Sequence, residues 1–174
     1  MVSNNIVQDY FSDLNSLRNY GKSFYWASFF LPRSNRSSAS QLYSICRYFD
    51  DLADGSNENL SKEIRNQFQK ISSNSSHEIN MFLRKHGIKI SVLEDLTTGL
   101  IKDQNSVRLN TVSELIYYSY EVAGTVGLMM MPIINVNDQN AQKHAIDLGI
   151  AMQLTNIARD IYEDADMDRI YIPK

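Results

Sequence analysis

Two short acidic stretches hold the residue types and spacings in this sequence that could do chemistry. The first reads Tyr43-Ser-Ile-Cys-Arg47-Tyr-Phe-Asp50-Asp51-Leu-Ala-Asp54, the second Gln153-Leu-Thr-Asn156-Ile-Ala-Arg159-Asp160-Ile-Tyr-Glu163-Asp164. Each residue of a helix turns about 100°, so Tyr43, Arg47, Asp50 and Asp54 fall within about 60° of one another. Gln153, Asn156, Asp160 and Asp164 make a similar polar stripe. Carboxylates one turn apart have Cβ atoms about 5–6 Å apart, close enough to share a hard cation. Oxygen-only ligation points to Mg²⁺, with Mn²⁺ as the alternative, rather than zinc.

The placement is unfavourable unless something uses it. Like charges at i and i+4 cost a helix roughly 0.2–0.5 kcal/mol per pair. In the last turn the macrodipole opposes a carboxylate by about 0.3–1 kcal/mol more, and both clusters are expected in the last turns of their helices. Solvated helix ends beside arginines are the plain structural alternative, weaker for two clusters than for one. A second alternative, calcium binding at Asp164-Ala-Asp166-Met-Asp168, fails because an EF-hand loop needs Gly where Arg169 stands.

The net charge is −3 from 17 Lys and Arg against 20 Asp and Glu. Residues 50–54 hold three acids and residues 160–168 five, with no Lys or Arg inside either stretch. Taking those eight acids away leaves a remainder of +5, a mildly basic frame suited to anionic substrates. No basic run or arginine-rich face suggests nucleic acid. No segment approaches the roughly 20 apolar residues of a membrane span; the longest apolar run, Val126–Ile134, contains Gly127 and Pro132. The first residues lack a basic-then-apolar signal, and the single cysteine, Cys46, allows no internal disulfide, so a cytoplasmic location is expected. Cys46 lies among Leu42, Ile45 and Phe49 and reads as a small buried apolar residue.

The elements that must position these groups are helical. With 7 Gly and 3 Pro in 174 residues, against roughly 12 and 9 at average usage, a fold of many short strands is disfavoured. Apolar periodicity predicts helices at about 5–19, 22–31, 38–54, 60–71, 77–86, 90–103, 111–131 and 138–164, with no convincing strand. Thr111 and Glu114 form a capping box, and residues 135–140 a turn. The expectation is one all-α domain over 1–174. Gly124 and Gly127, costly inside a helix, imply close backbone approach to another helix or to a ligand chain. The Leu128-Met129-Met130-Met131 run reads as core before cavity wall, and His77, His86 and His144 have no metal spacing.

With these residues in view, the sequence resembles the squalene/phytoene synthase family of head-to-head prenyl transferases. The resemblance spans about Ser23 to Pro173. It rests on Ser23-Phe-Tyr-Trp-Ala with Leu31-Pro32-Arg33; on Leu42-Tyr43-Ser-Ile-Cys46-Arg47 leading to the first DxxxD, Asp50 to Asp54; and on Gly99 with Asp103. It continues through Tyr118-Ser-Tyr-Glu-Val122-Ala123-Gly124-Thr-Val-Gly127, the second DxxxD from Gln153 to Asp164, and Arg169-Ile-Tyr171-Ile-Pro173. Ser119 stands where many relatives carry Cys.

The resemblance implies a class I isoprenoid-synthase-like helical bundle binding two isoprenoid diphosphates, with Mg²⁺ bridging diphosphate and both aspartate motifs. Ionisation of one allylic diphosphate, attack by the other substrate's double bond and loss of the second diphosphate would then couple the two chains. Carried over by position, Asp50, Asp54, Asp160 and Asp164 are the metal set. Arg47, Gln153, Asn156 and Arg159 would help hold diphosphate or order its metals, Arg47 and Arg159 also assisting catalysis. Ser23, Tyr43 and Tyr118 face the substrates near the reacting centre, and Arg169 and Tyr171 belong to a flap. For Tyr43 and Tyr118 a core role, and for Ser23 a helix-capping role, are the structural alternatives. The Gln-Leu-Thr-Asn-Ile-Ala-Arg-Asp string leans toward members that join two geranylgeranyl diphosphates. The branch that uses farnesyl diphosphate is the alternative, and a non-catalytic helical assembly protein the alternative of another class. No Gly-rich fingerprint supports NADPH. An oily product makes a peripheral membrane contact plausible, and no oligomeric state is specified. The chain ends just after the second motif, where family members continue with further helices, so the domain is expected to be incomplete at its C-terminus and weak in isolation.

Overall fold

The computed structural model describes residues 17–18, 21–54, 59–104 and 106–174. Its elements in order are α1 (Lys22–Ser28), α2 (Arg33–Ala53), α3 (Leu60–Ser73), α4 (Glu78–Lys85), α5 (Ile90–Lys102), β1 (Val107–Arg108), α6 (Val112–Ser119), a π-helical turn (Tyr120–Gly124), α7 (Thr125–Ile133), α8 (Gln139–Arg159), α9 (Ile161–Asp166) and β2 (Arg169–Ile170). The expected helix over 5–19 lies almost wholly outside the described residues. The all-α expectation holds apart from one small parallel ladder, in which Val107 pairs with Arg169 and Arg108 with Ile170.

The long helix α2 is the keel. Leu42, Ile45, Tyr48, Phe49 and Ala53 repeat at helical spacing and are buried, Phe49 completely. They pack with Ile64 of α3, Leu93 and Leu96 of α5 and Met129 of α7 in one core. Burying a side chain of this size contributes about 1.5–3 kcal/mol. Met129 and Met131 are buried, so the methionine run is core. Cys46 packs against this core and burial pushes its thiol up to about 12, which leaves it unreactive.

Three departures from the expected boundaries have local causes. The helix expected over 22–31 stops at Ser28, and Pro32 is the N-cap of α2, where its missing N–H costs nothing. The helix expected over 111–131 is interrupted by the π turn at Tyr120–Gly124. The helix expected over 138–164 breaks at Asp160, which ends α8 and starts α9. Thr111 caps α6 as predicted, its Oγ1 accepting from the Glu114 N–H at 3.1 Å, while Glu114 reaches back to the Asn110 N–H at 2.7 Å.

The glycines resolve toward helix contact. A Cβ on Gly149 would sit 2.4 Å from the Ala123 carbonyl oxygen, and one on Gly127 2.3 Å from that of Ala145. Helix α8 therefore lies backbone to backbone on the π turn and α7. No helix among the described residues is long and apolar enough to cross a membrane.

Candidate active site

The end of α2 and the end of α8 meet around one polar cavity of about 250 Å³. Asp50, Ala53 and Asp54 line it from α2, Leu100 and Asp103 from the end of α5, and Tyr118 from α6. Gln153, Asn156, Ile157 and Arg159 enter from α8, Asp160 and Asp164 from the junction and α9, and Arg169 and Tyr171 from the segment after it. Both sets of spaced acids thus face the same space, although about a hundred residues separate them in the chain.

The first set behaves as expected for acids at a helix end. Asp54 is the C-cap of α2. Burial, then the charge of Asp54, push the Asp50 carboxyl up to about 6, against the pull of Arg47. The second set differs from the single stripe expected on one helix. Gln153 and Asn156 are on α8, but the chain breaks at Asp160, and Glu163 and Asp164 fall in the first turn of α9, where the helix dipole favours acid. The argument from inverted placement holds for Asp50 and Asp54 and not for Asp164.

The carboxylates feel one another across the cavity. Asp103 adds to the upward push on Asp50; Asp164 does the same to Asp103, and Asp160 to Asp164 after burial. Asp160 is instead held low, because Arg159 binds it in bidentate fashion, Nε donating at 2.6 Å and a terminal nitrogen at 2.5 Å. Among the described residues no three such groups are gathered tightly enough to hold one ion. The donors are nonetheless carboxylate oxygens crowded enough to raise one another, which fits a hard divalent cation.

Asp103 is the residue that sequence reasoning underused. The Tyr118 hydroxyl donates to one of its oxygens at 2.8 Å and the Tyr171 hydroxyl to the other at 3.0 Å. The two rings stack at 4.8 Å. Burial raises the Asp103 carboxyl and both hydroxyls hold it down in part, while burial and the charge of Asp103 raise both phenols. Tyr118 is thus neither a simple core aromatic nor free in the cavity. The rule that singled out Asp50 and Asp54, an acid at a helix C-terminus, also applies to Asp103, the C-cap of α5. The Arg169–Tyr171 segment is fixed by that bond and by the ladder, which Arg108 reinforces through an ion pair with Asp168.

Three expected site residues stand outside the lining. Arg47 lies one turn before Asp50 and pairs with Asp51 at 2.6 Å and Asp50 at 3.6 Å. Tyr43, a further turn back, is half-buried against Phe24 and Gly21, its phenol raised by burial. Ser23 is exposed inside α1, whose N-cap is Gly21, so it does not cap the helix.

The squalene/phytoene synthase family model matches residues 17–174. Phytoene synthase of Thermus thermophilus is 34% identical over 92% of this chain and 57% of its own length. The 15-cis-phytoene synthase of Enterobacter agglomerans is 35% identical over 87% of the chain and 58% of its own. A crystal structure of a dehydrosqualene synthase superposes with a TM-score of 0.83 at 32% identity, covering 98% of this chain and 63% of that one. A squalene synthase from Alicyclobacillus acidocaldarius shares the fold, with a TM-score of 0.79 at 21% identity. The chain spans a little over half the length of the bacterial relatives it matches.

Proposed function

This chain belongs to the squalene/phytoene synthase family, and we propose from that premise that it carries the metal and diphosphate half of a head-to-head prenyl transferase site. The substrates are two isoprenoid diphosphates, in the first reading two geranylgeranyl diphosphates giving phytoene. The observation that carries the reading is that Asp50 and Asp54, on one helix end, face Asp160 and Asp164 across a single polar cavity.

Asp50, Asp54, Asp160 and Asp164 would hold Mg²⁺, or Mn²⁺ in its place. When bound, the ion supplies positive charge to the diphosphate as its bond to carbon breaks. Arg159 and Arg47 are the chain's own diphosphate donors, their planar guanidinium groups matching paired phosphate oxygens. Both are engaged with carboxylates, so diphosphate binding exchanges one anion for another without exposing an unpaired cation. Gln153 and Asn156 add neutral donors beside them. Tyr118 and Tyr171 remain neutral phenols, because burial and Asp103 raise both. A phenolate here would capture an allylic cation; a neutral hydroxyl bound to Asp103 does not. Ser23 and Tyr43, which stand outside the polar lining, would belong to the hydrocarbon end, and Arg169, in the lining, to the flap over the diphosphates.

A farnesyl-using activity is the second reading, favoured by the likeness to the dehydrosqualene synthase structure. The test supplies geranylgeranyl or farnesyl diphosphate with Mg²⁺ and identifies the hydrocarbon. Phytoene supports the first reading and a C30 hydrocarbon the second. Uncoupled alcohols alone contradict both.

A further inference from the structure

Three consecutive residues at the C-terminus of α5, Lys102, Asp103 and Gln104, tie together elements that are far apart in the chain. Successive side chains on a helix are turned by about 100°, so three in a row leave a helix end in three directions. Lys102 Nζ lies 2.5 Å from the Glu121 carboxylate, which is buried in the π turn. Asp103 accepts from Tyr118 of α6 and from Tyr171 beyond β2. Gln104 Nε2 donates at 2.7 Å to the carbonyl oxygen of Ala53, 51 residues away. The Gln104 N–H turns back onto the Ile101 carbonyl at 3.3 Å, which keeps this residue attached to the helix.

These contacts reach both pairs of acids. Ala53 is the last residue of α2, and its carbonyl is one of those that a helix end leaves without an intrahelical partner. It stands between Asp50, one turn before, and Asp54, the next residue, so Gln104 grips the backbone that carries the first pair. The second pair is held from both sides by the same end of α5. Before it, Gly149 of α8 packs on the Ala123 carbonyl in the π turn, and Lys102 anchors that turn. After it, Asp103 holds Tyr171. Neither Lys102 nor Gln104 lines the cavity. The choice of side chain fits this role. Lys and Arg often satisfy the last carbonyls of a helix, but beside Asp50 and Asp54 they would place a cation where a metal belongs. The neutral amide of Gln104 satisfies the carbonyl and leaves the acids their charge.

We propose that Gln104 and Lys102 are positioning residues, which fix through the end of α5 the spacing between the first pair of acids and the second. Neither touches substrate or metal; each acts through the backbone that carries the acids. The use of this spacing for metal and diphosphate rests on the site proposed above, whereas the mechanical link does not.

Each acid pair contains its own reporter: the Asp54 N–H donates to the Asp50 carbonyl at 2.9 Å, and the Asp164 N–H to the Asp160 carbonyl at 2.8 Å. Gln104→Met keeps the side chain's length and removes its donor. Lys102→Met removes the cation and Lys102→Arg keeps it. Ile64→Val, in the core on α3, which lends no residue to the cavity, controls for lost stability alone. Amide exchange is measured on the whole chain in chelator, with circular dichroism to verify folding. Gln104→Met and Lys102→Met should each speed exchange about fivefold at both Asp54 and Asp164, while Lys102→Arg stays near wild type. Calorimetric titration with Mg²⁺ and inorganic pyrophosphate then reads the site. Affinity should fall at least about tenfold in the two Met variants, and be retained in Lys102→Arg and Ile64→Val. Faster exchange at Asp54 alone in Gln104→Met overturns the proposal, because the contact is then only local. An equal acceleration in Ile64→Val overturns it too, since lost stability would account for the effect. So does full affinity in Gln104→Met when wild type binds. A wild type that binds no Mg²⁺ and pyrophosphate contradicts the site proposed above, a failure distinct from that of the mechanical link, which the exchange results decide.

Discussion

Replacing Asp50 by Asn should make this protein more stable and less able to bind metal. Burial and the charge of Asp54 push the Asp50 carboxyl from 3.8 up to about 6, which at full strength is about 3 kcal/mol against the ionised form at neutral pH. The side chain is 50% exposed, and screening by solvent brings this down to about 1–2 kcal/mol. Arg47 does not lose its only partner in the variant, because Asp51 binds it at 2.6 Å. The native state holds the Asp50 proton more tightly than the unfolded chain does. Its contribution to stability is therefore fully present below pH 3.8 and lost as pH rises through about 6. Urea unfolding across that window, with metal chelated, should show the wild type losing about 1–2 kcal/mol relative to Asp50→Asn between pH 4 and 7. Adding Mg²⁺ reverses the order: a ligand at a hundredfold excess over its dissociation constant stabilises by about 2.7 kcal/mol, and the variant should gain much less. The reasoning is refuted if Asp50→Asn is less stable than wild type in chelator at pH 7. Equal stabilisation of both proteins by Mg²⁺ refutes it as well.

Three other predictions probe the frame around the cavity. Tyr171→Phe removes a donor to a buried carboxylate and should cost about 1–2 kcal/mol, with faster amide exchange at Arg169 and Ile170; unchanged exchange there would show that the ladder alone fixes the segment. Glu121 is buried in the π turn, its carboxylate 2.5 Å from Lys102, so Lys102→Met should cost about 1–3 kcal/mol. Adding Glu121→Gln should return part of that in a double-mutant cycle, and an additive cycle would mean the pair is not coupled. Gly149→Ala forces a Cβ to within 2.4 Å of the Ala123 carbonyl and should lower stability by about 1–3 kcal/mol in a thermal melt. A neutral result would mean that α8 can slide without cost.

How far the site was legible follows from what generates each part. Asp50 and Asp54 are one turn apart on an uninterrupted helix, so spacing alone put them on one face. Asp160 and Asp164 have the same spacing, yet the helix breaks between them. Arg159 captures Asp160, its immediate neighbour in the chain, a local interaction that periodicity does not register. The π turn has no pattern of its own, because Tyr120–Gly124 read equally well as ordinary helix; what surrounds it is tertiary, with Gly99 packed on Glu121 and Gly149 on Ala123. Resemblance placed Tyr43 and Ser23 near the reacting centre and Arg47 at the diphosphate, but only the fold says how far along α2 and α1 they stand from the lining. Asp103 joins two tyrosines 15 and 68 residues away, a link that no sequence window contains. The two-residue ladder is too short for alternation to reveal.

The central claim is that acids from both helix ends act as one Mg²⁺ and diphosphate site. Equilibrium titration with a non-hydrolysable geranylgeranyl thiodiphosphate, with and without Mg²⁺, tests it on wild type, Asp50→Asn and Asp160→Asn. Binding should require Mg²⁺ and be lost by at least tenfold, about 1.4 kcal/mol, in each single variant. Binding that is unchanged without Mg²⁺, or retained when either helix end loses its acid, would contradict the account.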